Sequence, residues 1–311
     1  MKARTLGTDG PRVSAVGLGC MSLSWSYSAS TRDDDISVAV IASALDHGVT
    51  FFDTADVYGA GSNEEIVGRA LRKHRHEVTV ATKVGLVPGG ADGSPDHIET
   101  AIDASLYRLG DDAVDLYYLH RVDPGVPLAE SWGAMASLVE KGKVRHLGLS
   151  EVTVEQAAEA HAIHPVTAIQ SEFSLWTRDP QEAGVLDWCR DNGVAFVPFA
   201  PLGRGVLNGA VTAARELPAR GPEGRGPEGR GPSANRTLGL LREVAARHWA
   251  TPAQIAIAWV LAQGEHVIPI PGTKHRRYLQ ENVGAARLVL TPEDLDDLAA
   301  RQQLLSPHPG P

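Results

Sequence analysis

The chain has 311 residues, 43% hydrophobic and 22% charged, the balance of a globular protein with a large buried core. A formal net charge of −9 leaves no general basic surface for phosphate backbones, which argues against nonspecific nucleic-acid binding. Two distant cysteines, Cys20 and Cys189, suit neither a disulfide scaffold nor a spaced zinc motif and are compatible with a reducing compartment. The chain opens on "ARTLGTDGPRVSAV", which reads as a short hairpin turning at Asp9-Gly10. There is no signal-peptide-like apolar run at the start, and no segment approaches about 18 uninterrupted apolar residues. A soluble cytoplasmic protein with no membrane partner is expected.

Beyond the hairpin, eight strand-like runs follow: "AVGLGC", "VTFFD", "VTVATK", "VDLYYLH", "VRHLGLS", "VTAIQ", "VAFVPF" and "HVIPI". Amphipathic helical stretches separate them, among them "DDDISVAVIASALDHG", "SNEEIVGRALRKH", "PDHIETAIDASLYRLG" and "PLAESWGAMASLVEKG". Eight βα units in series predict an α/β fold, a (β/α)8 TIM barrel forming one domain over residues 1–311, in preference to a doubly wound open sheet. Ser62 or Asn63 is expected to cap its helix, with Glu64 and Glu65 at the positive end of the dipole. Gly48, Gly110 and Gly142 fall where helices should stop. One stretch breaks the rhythm. "RGPEGRGPEGRGP", residues 220–232, is a tandem repeat in a connection running from about residue 203 to 235. Its Pro and Gly content excludes helix and central strand, so a long flexible loop within the barrel is expected.

Alternate residues of a strand share a face. Phe51 and Asp53 therefore point one way in their strand, as do Thr79, Ala81 and Lys83, and Val114, Leu116, Tyr118 and His120, in theirs. Three successive strands end in Asp53, Lys83 and His120, all on the C-terminal rim where barrel active sites lie. Tyr58 follows on the adjoining loop. A tyrosine is a reluctant acid at neutral pH, with a pKa of about 10. An adjacent Lys83 ammonium favours the phenolate and is expected to lower that value, with Asp53 keeping the lysine charged and in place. His120 can hydrogen-bond a substrate oxygen. Such a group suits a reaction that builds negative charge on a carbonyl oxygen.

The segments "FFDTADVYG", "ATKVG", "YYLHRVDP" and "GKVRHLGLSE", taken in order, resemble the motifs of the aldo/keto reductase superfamily. "HRVDPGVPLAES" and "QSEFSLWTRDP" are most similar to the bacterial and fungal subgroup that includes pyridoxal reductases. The resemblance spans about residues 4–300 and implies NADP(H)-dependent reduction of small aldehydes or ketones. It implies Tyr58 as general acid, Lys83 and Asp53 as the groups that tune it, and His120 as the group orienting the carbonyl. It places the nicotinamide in the barrel mouth, with Ser150 and Gln170 at its carboxamide and Phe199 stacked on its ring. Phe199 stands where the family often has Tyr, and Glu151 where many relatives have Asn. "PLGRGVLNG" matches the pyrophosphate side, with Leu202 and Arg204 as contacts. "IPGTKHRRYLQENVGA" matches the adenosine-phosphate segment, through Gly272, Thr273, the bases Lys274 to Arg277, and Glu281 with Asn282. A cation run opposes the dipole of a helix N-terminus, so a bound phosphate accounts for its placement and favours NADP over NAD. The repeat-bearing loop is implied to fold over the pyrophosphate as a locally cationic lid.

Other features are weaker. "GLGCMS" lacks the third glycine of a Rossmann fingerprint. His161 and His164 have metal-compatible spacing but no third ligand, and no metal is expected. Asp56 reads as a turn former. Met21, Trp25, Tyr27 and Trp176 are candidates for the substrate mouth, with packing as the alternative for each. Two other functions fit the same residues. One is a cofactor-binding regulatory subunit, since potassium-channel β-subunits share this fold and motif set. The other is a metal-dependent hydrolase using Asp53, Asp56 and His120. Nothing in the sequence assigns an oligomeric state.

Overall fold

The first hairpin is shaped by what it docks against. In the computed structural model, which describes residues 1–24, 33–208 and 231–303, β1 (Ala3–Thr5) pairs antiparallel with β2 (Arg12–Ser14), Thr5 opposite Arg12. The turn takes in residues 6–11, and its positive φ falls at Gly7 (66°) rather than at the Asp9-Gly10 pair. A Cβ on Gly7 would lie 2.7 Å from the carbonyl oxygen of Thr167, so a close approach to the base of the sheet sets the turn. Arg4 secures the hairpin from the other side. Its guanidinium donates to the carbonyls of Gly264 (2.8 Å) and Leu261 (3.0 Å) and to that of Val267.

The barrel then builds in chain order. Strand β3 (Leu18–Gly19) leads through the short helix α1 (Met21–Ser24) and α2 (Asp34–Asp46) to β4 (Phe51–Asp53). Helix α3 (Ser62–Leu71) precedes β5 (Thr79–Val84), after which β6 (Leu86–Val87) and β7 (Gly90–Ala91) form a small hairpin. Next come α4 (Pro95–Leu109), β8 (Val114–Leu119), α5 (Leu128–Glu140), β9 (Val144–Ser150), α6 (Val154–Ile163) and β10 (Ala168–Glu172). Helices α7 (Asp179–Glu182) and α8 (Val185–Asp191) lead to β11 (Ala195–Phe199). The chain ends in α9 (Gly231–Arg247), α10 (Pro252–Leu261), α11 (Arg276–Gly284) and α12 (Pro292–Gln303). Strands β3, β4, β5, β8, β9, β10 and β11 form one parallel sheet in that order.

The eighth expected strand, "HVIPI", closes the barrel without being a regular strand. Ile268 and Ile270 donate to the carbonyls of Phe196 (2.8 Å) and Pro198 (3.0 Å), while Gly17 donates to Pro269 (3.0 Å). Pro269 and Pro271 have no N–H to give, so the ladder lacks donors on the side facing β3, while the side facing β11 keeps them. The period-two expectation holds in the packing. Phe51, Ala81, Leu116 and Tyr118 share an interior cluster with Val197, Ile268 and Ile270, and Leu6 and Val13 of the hairpin join it from below. Their neighbours Phe52, Val80, Tyr117 and Leu119 face outward into the larger cluster shared with the helices. Inside, Gly148 is required by proximity: a Cβ there would sit 2.4 Å from the Tyr118 ring.

Gly48, Gly110 and Gly142 all take positive φ, at 78°, 69° and 73°, where helices end. Residues 209–230, with most of the Gly-Pro-Glu-Gly-Arg repeat and the expected lid, lie outside the described residues. The repeat's last two residues correct the reading that it excludes helix: α9 starts at Gly231. Pro232 falls in the first turn, where an N–H has no intrahelical acceptor to lose.

Candidate active site

Strand ends bring the four chemical residues together. Asp53 closes β4, Lys83 is the penultimate residue of β5, and His120 directly follows β8. The Lys83 ammonium donates to Asp53 Oδ1 (2.5 Å), to the Thr54 carbonyl (2.7 Å) and to the Tyr58 hydroxyl (3.4 Å). The second Asp53 oxygen accepts from Gln170 Nε2 at 2.8 Å. The Tyr58 and His120 rings meet edge to face, with centroids 5.9 Å apart. All four side chains are buried. Asp53 is thus occupied by a lysine and an amide, and the lysine supplies the cation that the metal-hydrolase reading would require of a metal.

Burial sets the electrostatics and corrects one expectation. It pushes the Tyr58 phenol above its ordinary pKa; Lys83 pulls it back, and the Asp53 charge adds to the rise. The net direction is upward, so Tyr58 holds its proton at neutral pH. Burial opposes the Lys83 ammonium, but Asp53 and Tyr58 outweigh it and its pKa rises. His120 is driven well below its usual value by burial, then by Lys83 and Arg121, and stays a neutral imidazole. Its Nδ1 is buried with no hydrogen-bond partner among the described residues.

The residues expected at the cofactor form an arc on the adjoining part of the rim. Ser150 ends β9 and its hydroxyl accepts from Arg121 (3.2 Å), whose same nitrogen also donates to the His120 carbonyl (2.6 Å). Gln170 is committed through Nε2 to Asp53. Half-buried Phe199 ends β11 against the interior cluster. Leu202 precedes a single 3-10 turn, Gly203–Gly205, in which Arg204 takes a left-handed φ of 55° and pairs with Glu172 at 2.9 Å. Glu151 also takes a left-handed φ, 56°, where Asn would be less strained, and its carboxylate accepts from the Glu172 N–H (2.7 Å).

Gly272 pairs with Gly19, and a Cβ there would lie 3.0 Å from the Gly19 carbonyl oxygen and 3.3 Å from Ser22 Oγ. That serine hydroxyl is buried with no hydrogen-bond partner among the described residues. Thr273 is buried and its hydroxyl accepts from the His275 N–H (3.1 Å). Helix α11 has no side-chain cap and no acid in its first turn, which carries Arg276 and Arg277 just after half-buried Lys274. Arg277 pairs one turn on with Glu281 at 3.3 Å, and Asn282 is buried.

Of the substrate-mouth candidates, Met21 begins α1 and Trp176 packs partly buried against the outer cluster. Trp25 and Tyr27 lie outside the described residues. His161 has a structural role: its Nδ1 accepts from the Val166 N–H (3.2 Å) and its ring packs on Trp188. Sequence reasoning missed the support beneath Tyr58. Neither Ser62 nor Asn63 caps α3, whose N-cap is Gly61. The Ser62 hydroxyl donates to the Gly59 carbonyl, Asn63 bonds other elements, and Glu64 is wholly buried against Thr82 and Arg108. The available signal was the run of polar residues directly after the Tyr58 loop.

This barrel, with Asp, Tyr, Lys and His on one rim, places the chain in the aldo/keto reductase family. The profile described as "Aldo/keto reductase family" matches residues 15–302. A probable aldo-keto reductase 1 of Glycine max is 42% identical over 302 residues, spanning 94% of this chain and 86% of that protein. The glycerol dehydrogenase of Gluconobacter oxydans superposes with a TM-score of 0.87 at 29% identity, over 99% of this chain and 97% of its own. The aldo-keto reductase of Bacillus halodurans, in its holo form, superposes with a TM-score of 0.79 at 30% identity, over 98% and 97%. Members of the family are oxidoreductases of small carbonyl compounds and use nicotinamide cofactors.

Proposed function

We propose that this protein is a cytoplasmic, NADPH-dependent reductase of aldehydes or ketones in which Tyr58 supplies the proton. The observation that carries the reading is the Lys83 ammonium, held by Asp53 and the Thr54 carbonyl and reaching the Tyr58 hydroxyl at 3.4 Å. As charge builds on a carbonyl oxygen placed between Tyr58 and His120, the neutral imidazole offers it a hydrogen bond. Tyr58 then passes its proton to that oxygen, and Lys83 offsets the phenolate left behind. The lysine thus acts at the transition state, where the charge appears, more than on the resting phenol.

The residues of the arc fit a dinucleotide. A buried orphan hydroxyl on Ser22 faces the glycine backbone at Gly272, and cations open a helix with no acid in its first turn. Ser150, Gln170, Phe199, Leu202, Arg204, Gly272, Thr273, Glu281 and Asn282 would hold the body of NADPH, with Lys274 and Arg277 at its ribose phosphate. When bound, that group supplies the hydride. The test is NADPH oxidation over a panel of aldehydes, pyridoxal included, by the wild type and Tyr58→Phe. Turnover that falls about 10²- to 10⁴-fold in the variant, with NADPH affinity retained, is expected. A variant keeping more than about half of wild-type turnover would remove Tyr58 from the mechanism.

A further inference from the structure

The contact between Lys83 and Tyr58 is 3.4 Å long, at the far end of the hydrogen-bond range, and does not by itself fix the phenol. The placement of Tyr58 comes from elsewhere. We infer that Asn63 and Glu64, the second and third residues of α3, are positioning residues for proton transfer, Asn63 holding Tyr58 and Glu64 holding the strand of Lys83. The inference rests on reading Tyr58 as the proton donor.

The backbone N–H of Asn63 donates to the carbonyl of Tyr58 itself (3.3 Å). Its side-chain oxygen accepts from the Thr54 hydroxyl (2.7 Å), and the carbonyl of Thr54 accepts from Lys83 Nζ (2.7 Å). A closed circuit therefore runs from Lys83 through Thr54 and Asn63 to Tyr58. The Asn63 amide nitrogen donates to the Cys20 carbonyl (2.9 Å) and to Ser24 Oγ (2.6 Å), which ties in α1 and with it Met21 of the mouth. Glu64 performs the matching task one residue on. Its Oε1 accepts from the hydroxyl of Thr82, the neighbour of Lys83, at 2.6 Å, and its Oε2 pairs with Arg108 at 2.6 Å. The Arg108 stem underlies the end of the Tyr58 loop, since a Cβ on Gly61 would sit 2.7 Å from its Cδ.

A purely local role would have the Asn63 side chain bond backbone N–H groups of its own helix turn. Its side-chain bonds go instead to residues 9, 39 and 43 positions away. Both Asn63 and Glu64 are wholly buried, so each bond is made at low dielectric and its loss leaves a buried polar group unsatisfied. Displacing a reacting group by about 1 Å can cost about 10²-fold in rate.

Thr54→Val and Thr82→Val each remove one hydroxyl of the bracket and keep the branched shape, and Asn63→Ala removes the side chain at its centre while keeping the backbone bond to Tyr58. The expected result for Thr54→Val is a kcat about tenfold down. KM for the aldehyde and the NADPH dissociation constant should stay within about twofold, because no residue touching either has changed. The solvent deuterium isotope effect on single-turnover reduction should rise as transfer from a displaced phenol becomes limiting, and Thr54→Ser should restore wild-type behaviour. Thr82→Val should change in the same sense. A merely structural bracket lowers the melting temperature and leaves kcat and the isotope effect unchanged below it, and that result for folded Thr54→Val and Thr82→Val overturns the inference. Should Asn63→Ala fail to fold, the two valine variants carry the test. The Tyr58→Phe arm separates the two readings. Wild-type turnover no faster than Tyr58→Phe sinks the proposed function, whereas fast wild type with unaffected valine variants sinks only the positioning role.

Discussion

The two halves of the barrel rim are built on opposite principles. Around β4, β5 and β8, Asp53, Lys83 and His120 are buried and, with Tyr58, already assembled by bonds within the protein. Around the start of α11, Arg276 and Arg277 are exposed, and the helix start carries no carboxylate of its own. The difference teaches where each half gets its energy. The proposed catalytic half is pre-organised, so its geometry is maintained by folding and is ready before a ligand arrives. The proposed cofactor half leaves Arg276 and Arg277 exposed at the helix start, where a bound anion would add charge-assisted contacts.

Substitutions should therefore divide cleanly between the halves. The largest effect is expected for Lys83→Met, which removes the charge offsetting the phenolate and strands the buried Asp53. Breaking a buried ion pair typically costs about 3–5 kcal/mol, to be read from urea denaturation. Turnover should fall at least about 10²-fold while NADPH affinity in the folded fraction stays within about threefold. A variant as stable as the wild type would show that the catalytic half is not held by this pair.

Lys274→Met probes the other half. A charge-assisted phosphate contact contributes about 1.5–3 kcal/mol, so NADPH binding should weaken about 10- to 150-fold, and NADH binding far less. Stability should move by no more than about 0.5 kcal/mol. Equal losses for both cofactors in fluorescence titrations would refute the phosphate assignment and pass it to Arg276 or Arg277. Between the halves, Gly148→Ala on β9 should cost about 1–3 kcal/mol, because its Cβ would overlap the Tyr118 ring. An unchanged melting temperature would mean that the barrel interior yields more readily than this contact implies.

The smallest effect is a pH dependence on the catalytic half. Burial, and then Glu64, raise the Asp56 carboxyl to about 7. Between the ordinary carboxylate pKa of about 4 and pH 7, the folded protein keeps a proton that the unfolded chain has released. The associated stability is full below pH 4 and is lost as pH rises through 7. His120 runs the other way: its depressed pKa makes the folded state lose stability as pH falls below about 6.5. Asp56→Asn should therefore remove a fall in stability between pH 5 and pH 8 of about 1 kcal/mol relative to wild type, after allowing for its partial exposure. Parallel pH profiles for variant and wild type in urea titrations would contradict the shift.

The same division explains what was legible in the sequence. Asp53, Lys83 and His120 could be read because strand alternation has a fixed period, and a parallel barrel puts every strand's C-terminal end on one rim. The bracket under Tyr58 could not. Asn63 sits where a capping residue belongs, so a local explanation was at hand, and its actual partners Cys20 and Ser24 are 43 and 39 residues away. The upward drift of the Tyr58 pKa was hidden for a related reason: a sequence names the neighbouring lysine but not the depth of burial that outweighs it. The irregular eighth strand was partly visible in Pro269 and Pro271, whose missing donors break a ladder that hydrophobic pattern alone would extend.

Arg4 has a consequence for how the protein is made. Its guanidinium is held by the carbonyls of Leu261, Gly264 and Val267, partners 257, 260 and 263 residues later in the chain. At about 5–20 residues per second, a ribosome needs roughly 13 to 50 s to deliver them after Arg4 has emerged. Through that interval the Arg4 side of the first hairpin has no partner, and the β3 and β11 edges lack the Ile268–Ile270 segment that completes the ring. The nascent barrel is therefore an open sheet for most of its synthesis, with two unpaired strand edges until the segment around Ile268 arrives.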